Sequence, residues 1–286
     1  MLNIIKAVIF GIVEGITEWL PVSSTGHMIL LDKFIKLNVS KDFWNLFLVV
    51  IQFGAIFAVV ILYWDTIWPI RRSKSGNTIF VVRRKVLSLW GKTIAACIPA
   101  AIIGILLDDW INEHLYNWFV VALMLIIVGI AFIIVENINK KNREDGLNKE
   151  KVVELDDLSY KTAFEIGIFQ VVSAVLPGTS RSGSTILGGL LLGVSRKVAA
   201  EFTFILAIPV MAGASILKIA KYLSKGLKFT GIEWIILLIG MITAFVVSIL
   251  VIKLLMEYIR KHDFKIFGWY RIALGIIVII YFMLIS

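Results

Sequence analysis

Apolar residues occupy this chain in long blocks, and six of them, near residues 43–65, 91–107, 117–136, 199–222, 232–258 and 267–286, approach the roughly 20 residues that carry a helix across a hydrocarbon core. No alternation of period two suggests a barrel. Backbone polar groups in lipid must pair within their own segment, so the pattern predicts an all-α, polytopic membrane protein. Two further apolar runs behave differently. The run from Lys6 to Leu20 is about 15 residues long, too short to span comfortably, and it stops at a Leu-Pro step followed by Ser, Thr and Gly. A run ending at Leu176-Pro177 has the same shape. A helix broken at membrane depth is tolerated only where it is buried in protein or lines a wet cavity, so residues 4–37 and 160–194 are predicted to be re-entrant helical hairpins.

The two runs are copies. AVIFGIVEGITEWLPVSSTGH aligns with AFEIGIFQVVSAVLPGTSRSG at a constant offset of 156, which sets Gly11 on Gly167, Pro21 on Pro177 and Ser24 on Ser180. The chain therefore reads as one integral membrane domain, residues 1–286, made of a first repeat over about 1–137, a polar linker over about 138–159 and a second repeat over about 160–286. A re-entrant hairpin plus three spans makes an odd number of crossings. The second repeat is thus expected upside down relative to the first, with the two broken loops entering from opposite faces and meeting near the middle. Lysine and arginine support that topology: seventeen fall on one face, Lys74 and Lys149 among them, against eight on the other. The richer face is expected to be cytoplasmic, which leaves both termini and a loop at DDWINEHL outside.

Composition agrees with the hydropathy pattern. Of 286 residues, 59% are hydrophobic and 17% charged, with a mean hydropathy of +0.91. The net charge of +9 is carried in short segments between apolar blocks, as in membrane-protein loops, and predicts no nucleic-acid partner. The single cysteine, Cys97, allows no internal disulfide and no thiolate metal site. Lys6 and the residues after it have the outline of a signal peptide, but Glu14 and Glu18 interrupt the apolar stretch and no clear cleavage site follows, so the segment is expected to be retained.

The candidate chemistry lies in the two breaks. Glu14 and Glu18 stand four apart, on one helix face, and can act on one ligand. A carboxylate pair beside an anionic substrate makes sense if it holds a divalent cation, or if one member keeps a proton. Ser23, Ser24, Thr25 and Gly26 then offer hydroxyls and backbone amides where a helix restarts, a geometry that cradles phosphate oxygens and also that of an ordinary N-cap. His27 is a candidate for proton transfer or for attack on phosphorus. In the second copy Gln170 and Ala174 stand opposite the two glutamates, and Arg181 stands opposite Thr25. Its planar fork suits a bidentate grip on phosphate, with Ser180, Ser182 and Gly183 as neighbouring donors. Joined by the fold, these residues describe a phosphate site reached from the membrane.

EGITEWLPVSSTGH and PGTSRSGST resemble the two signature segments of the undecaprenyl-diphosphatase family of bacterial membrane enzymes, known also through bacitracin resistance, and the resemblance runs over the whole length. It implies hydrolysis of a prenyl diphosphate lipid, undecaprenyl diphosphate, to undecaprenyl phosphate and inorganic phosphate. That reaction recycles the lipid carrier of cell-wall synthesis at the outer face of the plasma membrane. It further implies a divalent cation, Mg2+ or Ca2+, and functional roles at Glu14, Glu18, Ser24, His27, Ser180 and Arg181. Ser24 and His27 both remain open as the attacking group. A homodimer is compatible with such a fold. The competing class is a secondary transporter or lipid flippase, because inverted repeats with broken midplane helices also build those proteins.

Overall fold

The computed structural model describes residues 2–72, 80–147 and 150–285; Lys74 and Lys149 lie outside the described residues. The first half runs α1 (Leu2–Thr17), α2 (Ser24–Phe34), α3 (Lys41–Leu62), the short α4 (Trp64–Ile67), β1 (Ile70–Arg72), β2 (Phe80–Val82), α5 (Arg84–His114) and α6 (Trp118–Glu144). The second runs α7 (Tyr160–Val175), α8 (Arg181–Leu191), α9 (Arg196–Ser224), α10 (Gly231–Lys261) and α11 (Lys265–Ile285). Among the described residues, α3, α5, α6, α9, α10 and α11 are long and apolar enough to cross a membrane. The chain is an all-α, multi-pass membrane protein.

Each half opens with a broken pair of the same size, 16 and 11 residues in α1 and α2 and again in α7 and α8. The Leu-Pro steps contribute to the breaks by withholding the amide that the next turn would need, but proline alone does not break a helix here, since Pro99 and Pro209 lie inside α5 and α9. The first helix of each pair packs chiefly on the other half, α1 along α10 and α7 along α5, while α6 pairs with α11 and α3 with α9. Small residues make this interleaving possible, because lipid gives helices no hydrophobic reason to associate and close packing must supply it. A Cβ added at Gly11 would lie 2.6 Å from the Gly240 carbonyl oxygen, and one at Gly167 would lie 2.8 Å from Ala96 Cα. Where α6 crosses α11, Gly129 and Gly268 face each other, and a Cβ on either would come within 2.7 Å of the other's carbonyl oxygen. The central core draws on both halves: Trp19, Phe132, Phe204 and Phe264 are fully buried, with Trp19 edge-on to Phe204 at 5.4 Å.

Three features depart from the sequence reading. The DDWINEHL segment is not a loop, because α5 stays helical to His114. α6 runs on to Glu144, beyond the expected start of the linker. It has no internal Gly or Pro break there, Lys140 and Glu144 pair one turn apart at 3.6 Å, and the chain turns only at Gly146, with φ +71°. Finally, β1 and β2 pair antiparallel, Ile70 opposite Val82, a short ladder that an all-α reading did not include.

Candidate active site

Both breaks end in the same turn, and its details shift the repeat register. Ser23 and Ser180 are the only non-glycine residues with positive φ among those described, each at 72°. Each caps the helix that follows: the Gly26 amide donates to Ser23 Oγ at 3.4 Å, and the Gly183 amide to Ser180 Oγ at 3.1 Å. A left-handed serine is strained by about 1–3 kcal/mol, and such strain is concentrated at functional sites. The caps superpose SSTG (23–26) on SRSG (180–183), an offset of 157 rather than 156. The extra residue is Gly178, at φ +92°, where a Cβ would lie 2.6 Å from the Val121 carbonyl oxygen. Arg181 therefore occupies the place of Ser24, not of Thr25. The Gly26 and Gly183 amides, expected as phosphate donors, cap their own turns, while Thr25 lies half-buried in the first turn of α2.

Glu18 joins the two breaks. Its Oε1 accepts from Arg181 Nη2 at 2.9 Å and its Oε2 from Ser24 Oγ at 2.8 Å, so one carboxylate holds the cation of the second loop and the hydroxyl of the first. Ser182 Oγ donates to the Glu18 carbonyl oxygen at 3.0 Å, and its hydroxyl also lies 3.1 Å from that of Ser180. Ser182, expected as a phosphate donor, thus stitches loop to loop. Arg181 is oriented from behind: Nη1 donates to the Thr203 carbonyl at 2.8 Å, and the guanidinium lies 5.8 Å from the Trp19 ring centre. Thr203 in turn donates to the Thr185 hydroxyl at 2.8 Å, and Thr185 donates to the Arg181 carbonyl at 2.9 Å.

His27 stands one turn into α2, its Nδ1 2.7 Å from the Ser23 carbonyl oxygen and its Nε2 2.7 Å from the Tyr270 hydroxyl, with the two rings nearly parallel at 5.6 Å. A carbonyl only accepts, so Nδ1 carries the proton and, in the neutral ring, Nε2 accepts from Tyr270. The loops also share a residue that the sequence reading passed over. Arg271, fully buried on α11, donates to the carbonyl oxygens of Pro21 at 3.1 Å and of Gly178 and Thr179 at 2.9 Å each, and to those of Met124 and Leu125 at 3.4 Å. It ties both broken loops to α6. An arginine inside the last apolar block was the signal, because ionisable groups at membrane depth are kept for a purpose.

Glu14 is fully buried and neither carboxylate oxygen has a hydrogen-bond partner. Gln170, at the matching position of α7, is likewise buried with both amide atoms unpaired. Unpaired buried carboxylate oxygens suit a hard divalent cation. No group of three or more His, Cys, Asp or Glu side chains suited to a metal occurs among the described residues. The donor set fits the mode in which one or two carboxylates hold the ion and substrate phosphate and water complete its shell.

Comparison with known proteins adds to this geometry. The family model described as bacitracin resistance protein BacA matches residues 7–277. The chain is 58% identical over 282 residues to an undecaprenyl-diphosphatase of Desulfitobacterium hafniense, covering 99% of this chain and 97% of that one. It is 53% identical over 279 residues to an undecaprenyl-diphosphatase of Enterococcus faecalis, covering 98% and 97%, and 54% identical over 284 residues to undecaprenyl-diphosphatase 1 of Clostridium acetobutylicum, covering 99% of each.

Proposed function

The chain belongs to the bacitracin resistance protein BacA family, and from that membership we propose that it is an undecaprenyl-diphosphate phosphatase, hydrolysing undecaprenyl diphosphate to undecaprenyl phosphate and inorganic phosphate. The observation that carries the reading at the level of chemistry is the Glu18 carboxylate, shared between the Ser24 hydroxyl and the Arg181 guanidinium. A hydroxyl hydrogen-bonded to a carboxylate is the pairing of nucleophile and base, and a cation beside it is placed to bind phosphate oxygens.

In this scheme Arg181 turns from Glu18 to the diphosphate. Ser24 Oγ attacks the terminal phosphorus as its proton passes to Glu18, and the bond from that phosphorus to the bridging oxygen breaks. Undecaprenyl phosphate leaves with the electron pair and takes up the proton from Glu18. Water then cleaves the seryl phosphate, one proton returning to Ser24 Oγ and the other leaving with the phosphate. His27, whose Nε2 becomes free to accept once the Tyr270 hydroxyl turns aside, is the base for that water. Glu14 and Glu18 would hold a divalent cation, Mg2+ or Ca2+, which when bound neutralises charge on the phosphate oxygens. Little else is asked of the protein, since phosphoryl transfer rests mainly on positioning and electrostatics.

The excess of basic residues on one face supports placing the site toward the opposite, outer face of the bacterial plasma membrane, with both termini outside. Purified protein in detergent should release phosphate from a prenyl diphosphate, and a quenched reaction should carry radiolabelled phosphate on Ser24. Label on His27 instead, or turnover surviving Ser24→Ala, would remove Ser24 as nucleophile. Absence of release by wild type, with movement of the lipid alone, would favour a transporter.

A further inference from the structure

A cavity lies away from the two breaks. About 470 Å3 in volume, it opens between the C-terminal end of α6, the linker and the turn joining α8 to α9. The volume falls within the roughly 300–1,000 Å3 of ligand pockets. Its depth follows from α6, whose apolar stretch ends at Val135 and whose first charged residue is Glu136. Across from it, α9 begins at Arg196. The cavity therefore sits where the hydrocarbon gives way to headgroups.

Its lining carries Arg143, Lys151 and Arg196 against a single carboxylate, Glu150. Arg196 is held in place: Nε donates to Glu136 Oε1 at 2.8 Å and Nη2 to Oε2 at 2.5 Å, while fully buried Glu136 also accepts the Phe264 amide at 3.0 Å. Nη1 takes no part in that pair. Lys151 is fixed through its backbone, whose amide donates to the Gly193 carbonyl at 2.8 Å. Arg143 lies 3.4 Å from Glu150 in a partly exposed ion pair, a kind that contributes little stability. The side amides of Asn139 and Asn142 add donors, and the apolar wall includes Ile138 and Leu191, 52% and 53% exposed. A lining that combines cations and amides with exposed aliphatic side chains matches a molecule that is anionic at one end and hydrocarbon at the other.

We propose that this cavity binds an anionic phospholipid of the surrounding bilayer, its headgroup phosphate between Arg143, Lys151 and Arg196 and an acyl chain along Ile138 and Leu191. The site is separate from the phosphatase centre and uses none of its residues. It fastens the linker between the halves to the bilayer surface.

Native mass spectrometry of the full chain in neutral detergent, titrated with phosphatidylglycerol or phosphatidylcholine, tests this. Wild type should retain one phosphatidylglycerol about tenfold more tightly than phosphatidylcholine, a preference of the size expected for cations at a charged lipid surface. The double variant Arg143→Gln, Lys151→Gln should lose that preference, and the control Lys218→Gln, Lys228→Gln, whose lysines do not line the cavity, should keep it. Equal retention of both lipids by wild type, an unchanged preference in the cavity variant, or equal loss in the control would each overturn the proposal. So would displacement of the lipid by inorganic phosphate, which would make the site one for a free anion.

Discussion

Glu18 and Arg181, 163 positions apart, meet at 2.9 Å between Oε1 and Nη2, and both side chains are nearly buried, at 7% and 12% exposure. Breaking such a pair leaves an uncompensated charge, which costs about 3–5 kcal/mol, whereas removing both partners costs far less. Glu18→Ala and Arg181→Ala should each lower the melting temperature in detergent more than the double alanine variant does. Phosphate release should fall at least about a hundredfold in all three. Arg181→Lys, lacking the planar fork, should not rescue it. Activity in the double variant near wild type would show the pair to be structural only.

Arg271 bridges both broken loops and α6 through backbone carbonyls alone. Arg271→Met should strand these acceptors, each worth about 1–3 kcal/mol when buried and unpaired. Expected are a clear drop in melting temperature and at least about a tenfold loss of phosphate release, measured well below that temperature. Arg271→Lys, with three donors on one nitrogen, should recover only part of either. Full activity in the methionine variant would show that the loops hold their positions without it.

The Tyr270 hydroxyl and His27 Nε2 are 2.7 Å apart. Tyr270→Phe removes only that donor and should leave phosphate release within about tenfold of wild type, because the Ser23 carbonyl still fixes the ring through Nδ1. His27→Ala should cost considerably more. Equal losses in the two variants would assign the role to the hydrogen bond rather than to the imidazole.

Glu14 has both carboxylate oxygens buried and unpaired, as a cation ligand would. Chelation of divalent ions should abolish phosphate release, and adding Mg2+ or Ca2+ back should restore it. Glu14→Gln, keeping size but not charge, should raise the cation concentration for half-activation by about tenfold or more. Unchanged activity after chelation would remove the metal from the scheme.

Gly129 and Gly268 meet where α6 crosses α11. Gly129→Val or Gly268→Val should destabilise the fold by about 1–3 kcal/mol through overpacking. Gly104→Ala, in open space on α5, should be neutral or stabilising by up to about 1 kcal/mol. A scan of melting temperatures in detergent distinguishes the close crossing from general helix propensity.

Hydropathy and proline are local properties, so the long spans, both helical breaks and the polar clusters within them could be read along the chain without coordinates. Glu14, Glu18, Ser24, His27 and Arg181 were legible for the same reason, as costly groups gathered in greasy surroundings. Helix ends were less so: nothing in the letters of DDWINEHL or of Lys140–Glu144 states whether a polar stretch continues a helix past the lipid boundary. Tertiary structure alone decided three things. Gly178 slips the second loop by one residue, because the α6 backbone at Val121 leaves no room for a Cβ there, and this puts Arg181 rather than Ser180 in the place of Ser24. Arg271 acquires its role only when α11 brings it against carbonyls from three distant segments. And the Glu18 carboxylate becomes shared between Ser24 and Arg181 only because the fold interleaves the halves, α1 packing on α10 and α7 on α5, a long-range pairing that no local pattern encodes.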